Sequence, residues 1–417
     1  MAENGPPFPD EVILLFTNEN NINAQGQFYC EYDIDNKYHQ VAGECEAVIG
    51  YGRSEGPLLS LLLENKNNLP VDFLSSDYFI YYVDSLVVKG KRKYNNEYAP
   101  FTAIIKIKQK SDSQILEETY KYITPPYVSP GDKVGIVSTA KRCEPHEIND
   151  GLALLKSWGL EPVLGRNAFK TDGFLAGTDE QRLADLQQML DDTSIKAIFF
   201  TKGGYGTLRI IDSIDWTAFK ANPKWLVGYS DITLLHCHVH NFGIQSLHSV
   251  MLQGIPKSNA ESSATIRTAL FGESLNYSIP AQPENRAGGT VEGTLVGGNL
   301  SILYAVVGSA SDIDTTDKIL FIEDIDEYLY HYDRMLIALK RAGKLFNLKA
   351  VIVGDMIDIK DSTIPFGKTY QEITLEHFNC PVYFGFPSGH SEDNSALVMG
   401  RTIRISQMGS IVNFDFI

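Results

Sequence analysis

Cysteine is scarce and unpatterned: Cys30, Cys45, Cys143, Cys237 and Cys380 are an odd number in 417 residues, and no two share C-x-x-C spacing. That excludes a zinc ribbon and a complete disulfide framework. The usage reads as buried free thiols in a reducing compartment, with a Cys30 to Cys45 pair left open for an exported protein. Positive charge is also short, 36 Lys and Arg against 52 Asp and Glu, a net charge of −16. With no basic stripe to meet phosphate, nucleic acid is a poor partner. No apolar run is long enough to cross a bilayer. The opening MAENGPPFPDE has neither a basic n-region nor an apolar h-region. The chain therefore reads as cytoplasmic, or exported if a signal peptide has been removed. Repeats and low-complexity tracts are absent too.

What is present is 43% hydrophobic and 21% charged residues, the balance of a globular protein with a full core. At this length two or more domains are expected. Residues 11 to 110 read as strands rich in Val, Ile, Tyr and Phe, separated by Asn, Gly and Pro clusters. They predict a β-rich accessory domain over 1–123, sandwich- or barrel-like and of unassigned role. A polar stretch with Pro125, Pro126 and Pro130 follows as a linker. From Lys133 the rhythm becomes apolar strand, turn, amphipathic helix, which predicts an α/β region with a mostly parallel sheet. GTLRIIDSI is read as one of its helices, and GTLVGGNL, near 293–300, as a Gly-rich turn opening a second α/β stretch. ESLNYSIPAQPENRAGG reads as the crossover between the halves, giving boundaries of 124–280 and 281–417.

Chemistry is sought at the carboxyl ends of parallel strands, where α/β proteins gather active groups. VGYSD, Gly228 to Asp231 preceded by Val227, has the strand, turn, helix context of a nucleophile elbow. It would expose the Ser230 hydroxyl and aim the Asp231 amide at an oxyanion, yet it lacks the second glycine of G-x-S-x-G. A helix cap by Ser230 or Asp231 remains open. FFTKGGYGTLR offers Gly203, Gly204 and Gly206, suited to close ligand approach or to a plain tight turn. No G-K-[ST] follows, so it is not a Walker A loop. ILFIEDIDEYLYHYD ends an apolar strand with Glu323 and Asp324, either an orienting carboxylate or, with Asp326, a helix cap. FGFPSGHSEDN puts His390 in a turn-rich loop, a position for a general base or for a solvated histidine. His236, His238 and His240 invite a metal reading, but only His236 and His240 share a helix face and no H-E-x-x-H completes the set. No metal is expected.

Taken in order, SPGDKVGIVS, FLAGTDEQRLADLQQML, TKGGYG, VGYSDITLL, GTLVGGNL, LFIED with HYDRML, and FPSGH resemble the L,D-carboxypeptidases of the Ser-Glu-His serine peptidase type. The group contains murein tetrapeptide carboxypeptidases and microcin C immunity peptidases. The resemblance runs from about Ser129 to Ile417. It implies a two-part catalytic region with Ser230 as nucleophile, His390 as base and Glu323 as the acid that orients it. The backbone amides of Gly204 and Asp231 would form the oxyanion hole, and no cofactor is needed. It further implies removal of the terminal D-alanine from murein tetrapeptides, a muropeptide partner and a homodimer. Where family members often carry His-Gly-Pro, His248 is followed by Ser249 and Val250, which concerns the local substrate wall. The alternatives are an immunity-type peptidase acting on aminoacyl-adenylate analogues, or a peptide-binding protein without turnover. An adenine-stacking aromatic is sought between Gly254 and Thr290, where only Phe271 and Tyr277 occur.

Overall fold

The computed structural model describes residues 122–417 and, of the first 121, only the backbone of strand segments between Val12–Thr17 and Glu97–Lys108. The expectation of a sandwich or barrel there, and the Cys30 to Cys45 pair, lie outside the described residues. The chain divides into two compact units, Met1–Thr119 and Tyr120–Ile417.

The second unit begins with β1 (Lys133–Val137), α1 (Asn149–Ser157), β2 (Glu161–Leu164), α2 (Asp179–Asp191), β3 (Ile195–Phe200), α3 (Thr217–Ala221), β4 (Trp225–Gly228), α4 (Thr233–His240), β5 (Ser246–His248) and α5 (Ala260–Leu270). Strands β1 to β5 pair in parallel in the order 2-1-3-4-5. Their near-continuous apolar runs are what burial on both faces requires. In this order the chain reverses its direction of spread between β1 and β3, the switch point at which open sheets bind ligands. Helix α2 starts from a capping box: Gln181 N–H donates to Thr178 Oγ1, and Thr178 N–H donates to Gln181 Oε1. GTLRIIDSI does not form an α-helix; it makes two 3₁₀ turns, Thr207–Arg209 and Ile211–Ser213.

The chain continues through β6 (Asn276–Pro280), β7 (Val291–Asn299), α6 (Leu300–Ala305), β8 (Ile319–Ile325), α7 (Leu329–Arg341), β9 (Ala350–Ile357), α8 (Tyr370–His377), β10 (Val382–Phe384), β11 (Leu397–Met399), β12 (Thr402–Met408) and β13 (Ile411–Phe416). A seven-stranded mixed sheet runs β6-β13-β12-β7-β8-β9-β10. Between β10 and β12 the chain leaves it for β11, which pairs antiparallel with β5 of the first sheet, so the two sheets are laced together. β6 lies within the segment read as a crossover and joins the second sheet. Helix α7 buries Tyr332, Met335, Leu336 and Leu339, an i, i+3, i+4, i+7 stripe, on that sheet.

GTLVGGNL is a strand, not a turn: it forms most of β7. Its glycines serve close approach. A Cβ on Gly297 would lie 2.0 Å from the Phe321 carbonyl oxygen of β8, and one on Gly298 would lie 2.6 Å from Thr233 Oγ1 at the start of α4. Asn299 N–H then donates to Thr233 Oγ1 (3.0 Å), seating the second sheet against the helix behind Ser230.

Candidate active site

Strand β4 delivers Tyr229 and Ser230 at its carboxyl end, and Ser230 takes φ +58°, a left-handed backbone for a residue that is not glycine. Such strain costs of order 1–3 kcal/mol and persists only where the surroundings impose it. Here they do: Gly228 packs tightly on Ile232, whose Cγ1 would lie 3.0 Å from a Cβ added there. The buried His236 ring donates from Nε2 to the Gly228 carbonyl (2.8 Å) and, through Nδ1, meets Ser246 Oγ (2.8 Å). Burial pushes the His236 pKa down to about 4, so this strut stays neutral. Neither Ser230 nor Asp231 caps the following helix by a side-chain hydrogen bond. Asp231 instead accepts from Thr207 N–H (3.0 Å), fastening the glycine loop after β3 to the corner.

That loop passes close to the serine. A Cβ on Gly203 would stand 3.1 Å from Ser230 Cβ and 3.2 Å from its Oγ, so any larger residue would crowd the hydroxyl. Gly204 (φ +107°) and Gly206 (φ +151°) hold backbone shapes that favour glycine. Among the described residues, no protein acceptor takes the amides of Gly204 or Asp231. The loop is pinned by Arg182, fully buried on α2, whose Nη1 donates to the carbonyls of Thr139 (2.7 Å) and Gly206 (2.8 Å). Arg182 carries no local sequence signature of this task; only a basic residue on the buried face of an amphipathic helix could have signalled it.

The second sheet contributes Glu323, wholly buried at the end of β8, and His390 from the loop after β10. His390 Nδ1–H donates to Glu323 Oε2 at 2.7 Å, which leaves Nε2 as the free face of the imidazole. Burial alone would lower the His390 pKa. The charge and hydrogen bond of Glu323, with Asp324 and Asp355 nearby, outweigh it and hold the ring above its ordinary value. Gly389 (φ +144°) lets the loop press on both carboxylates, since a Cβ there would lie 2.8 Å from Asp355 Cβ and 3.2 Å from Glu323 Oε2. Asp355, overlooked in the sequence, tethers the loop by accepting from Ser391 Oγ (2.5 Å) and N–H (3.2 Å). Its signal was present in VIVGDM, a carboxylate at the carboxyl end of the strand beside β8.

The two halves meet at the corner. The His390 ring lies 4.8 Å, centroid to centroid, from the ring of Tyr229, the residue before Ser230. Ser230 Oγ and His390 Nε2 make no hydrogen bond with any described residue. Asp324, the neighbour of Glu323, is a brace: it accepts from Asn299 Nδ2 (3.0 Å), Ser301 N–H (2.9 Å) and Ser301 Oγ (2.8 Å) at the start of α6. Burial and the Glu323 charge raise its carboxyl to about 6. Asp326 pairs with Lys360 away from this cluster. The remaining helix histidines are engaged singly, His238 Nδ1 with Ser311 Oγ (2.9 Å) and His240 Nε2 with Tyr122 OH (2.7 Å).

Comparison with known proteins decides the family. The model of the LD-carboxypeptidase N-terminal domain matches residues 134–249, and that of the LD-carboxypeptidase C-terminal domain matches 292–405. The chain belongs to the LD-carboxypeptidase family. A probable murein peptide carboxypeptidase of Bacillus subtilis is 35% identical over 285 residues, 66% of this chain and 89% of that protein. A murein tetrapeptide carboxypeptidase of Pseudomonas aeruginosa is 29% identical over 284 residues, 65% of this chain and 92% of that one. In fold, the chain is similar to the muramoyltetrapeptide carboxypeptidase of Oxalobacter formigenes (TM-score 0.62, 24% identity, 68% of this chain and 98% of that). It is equally similar to the MccF protein solved with glutamyl sulfamoyl guanosine (TM-score 0.62, 22% identity, 70% and 98%). The LD-carboxypeptidase family assignment makes this chain a peptidase, and its second unit, Tyr120–Ile417, has a mixed α/β fold of two sheets. Among the described residues no helix is long and apolar enough to cross a membrane.

Proposed function

We propose that this peptidase is a serine-type L,D-carboxypeptidase that removes the C-terminal D-alanine of murein tetrapeptides. The single observation that carries the mechanism is a strained corner that presents the Ser230 hydroxyl next to Tyr229, whose ring lies 4.8 Å from an imidazole held at its other nitrogen by a buried carboxylate. In this reading His390 Nε2 takes the Ser230 proton as Oγ attacks the peptide carbonyl. The amides of Gly204 and Asp231, unclaimed by protein acceptors, receive the developing oxyanion. Glu323 fixes the tautomer and stabilises the imidazolium; the imidazolium protonates the departing D-alanine amine, and water clears the acyl-enzyme. The missing Ser230 to His390 hydrogen bond suits a resting site that tightens on substrate. The named murein carboxypeptidases among the relatives support the substrate class.

Cleavage of an aminoacyl-nucleotide analogue is the second reading, favoured by the likeness to MccF. The aromatics that could stack a base there are occupied: Tyr277 OH donates to the Ala396 carbonyl (2.5 Å), and Phe271 lies under Arg267, 4.7 Å from ring centroid to guanidinium. That supports the muropeptide reading, which carries with it the 280/281 division, a homodimer and a cytoplasmic location. The test is incubation with disaccharide-free murein tetrapeptide and mass analysis. Loss of one alanine is expected, and intact peptide at high enzyme concentration together with cleavage of an aminoacyl sulfamoyl adenosine would reverse the order of the two readings.

A further inference from the structure

A carboxypeptidase differs from an endopeptidase in one respect: its substrate ends in a carboxylate next to the scissile bond, and something must recognise that charge. In the leaving residue, the carboxylate carbon sits about 3.5 Å beyond the reacting carbonyl carbon. The receptor therefore has to lie against the oxyanion loop. Four cations approach that loop, and three are engaged by carboxylates. Lys202 Nζ donates to Glu147 Oε1 (2.8 Å), Arg209 Nη2 pairs with Asp179 Oδ2 (2.7 Å), and the buried Arg182 pairs with the same Asp179.

Lys141 is the fourth. It follows β1 as Gly204 follows β3, so the two flank the switch point of the first sheet. Its N–H donates to the Gly203 carbonyl (3.3 Å). Its stem packs on Gly204, where an added Cβ would lie 3.0 Å from Lys141 Cβ and 3.6 Å from Cδ. Its ammonium stands 5.3 Å from the centroid of the exposed Phe174 ring and meets no carboxylate among the described residues. A cation held over an aromatic face is oriented without being discharged, so it keeps its affinity for an anion. Arg142 is next in sequence, but Lys141 is bridged to Leu175 in extended backbone, where consecutive side chains leave on opposite faces. Only Lys141 has its Cβ on the Gly204 side.

We propose that Lys141, steadied by Phe174, is the residue that binds the C-terminal carboxylate of the substrate and so makes this site an exopeptidase. The inference rests on the carboxypeptidase reading above. With the leaving residue's carboxylate on the ammonium, its amide nitrogen lies between Lys141 and the hydroxyl of Ser230, and the carbonyl oxygen falls toward the Gly204 amide. A capped or extended C-terminus loses the ion pair and is discriminated against.

The test measures equilibrium binding by calorimetry to Ser230→Ala protein, with murein tetrapeptide and with the same peptide bearing a C-terminal amide. The parent is expected to favour the free carboxylate by about 10- to 100-fold, the worth of one charge-assisted contact. Adding Lys141→Met should abolish that preference while leaving the amide's affinity unchanged. Lys141→Arg should restore part of it, and Arg142→Ala should leave it intact. An equal preference in the Lys141→Met protein, or none in the parent, overturns the proposal. Turnover by the unmutated enzyme is scored separately: its absence sinks the carboxypeptidase reading, whatever the binding comparison shows.

Discussion

On the Ser230 side the geometry is held by backbone: a left-handed serine, a glycine loop with two residues at positive φ, and buried struts from His236 and Arg182. On the His390 side it is held by charge, with Glu323 and Asp355 buried under a loop that contacts both through Gly389. The first arrangement resists displacement, because shifting Ser230 would disturb the Gly228 carbonyl, which accepts from His236 of α4 and from Ser249 N–H just after β5. The second depends on ionisation and changes with pH. The contrast suits the roles proposed: a nucleophile needs a fixed position, and a base needs a tuned proton affinity.

Five perturbations separate the two sides. Ser230→Ala should lower kcat/KM by about 10⁵-fold, measured on tetrapeptide, while the melting temperature holds. Ser230→Gly should be as inactive yet more stable by about 1 kcal/mol, because glycine removes the left-handed strain. Equal or lower stability on thermal melting would show that the corner is not strained as described. Glu323→Gln should cost about 10³-fold in kcat, with the fold retained by circular dichroism, since the amide no longer enforces the tautomer or stabilises the imidazolium. The pH profile comes next. The base must be neutral, so kcat/KM should fall as pH drops through a His390 value held above the ordinary histidine one. In Glu323→Gln that acid limb should move below the ordinary value. The same raised value means that the His390⁺ to Glu323⁻ pair stabilises the fold fully below the unfolded histidine pKa. That contribution is lost as pH rises through the higher folded one. Smallest is Gly389→Ala, expected to cost about 1–3 kcal/mol on denaturant unfolding as its Cβ meets Asp355.

Much of this was legible in the sequence because parallel strands announce their ends. The apolar runs before Ser230 and Glu323 place both at carboxyl termini of strands, and the turn-rich stretch around His390 marks it as a loop residue. GTLVGGNL misled, since glycine signals a turn by composition, and only the Phe321 backbone 2.0 Å from a virtual Cβ reveals that the same residue permits strand contact. Arg182 could not be found by pattern, because its partners are carbonyls brought near by tertiary packing; Asp355 was marked by its place at a strand end, but its partner, a loop hydroxyl, was not. Likewise nothing local in Leu397–Met399 says that β11 pairs with the first sheet. The role of residues 1–123 stays with the sequence-based expectation, testable by comparing turnover on free peptide and on intact wall after deleting them.

The central claim is that one hydroxyl, at Ser230, is activated by one imidazole, at His390. Reaction with a serine-directed fluorophosphonate, followed by peptide mapping, tests it most directly. The account predicts a single adduct on the peptide containing Ser230, formed faster as pH rises through the His390 value and nearly abolished in His390→Ala. An adduct on a different serine, or undiminished labelling in His390→Ala, would contradict it.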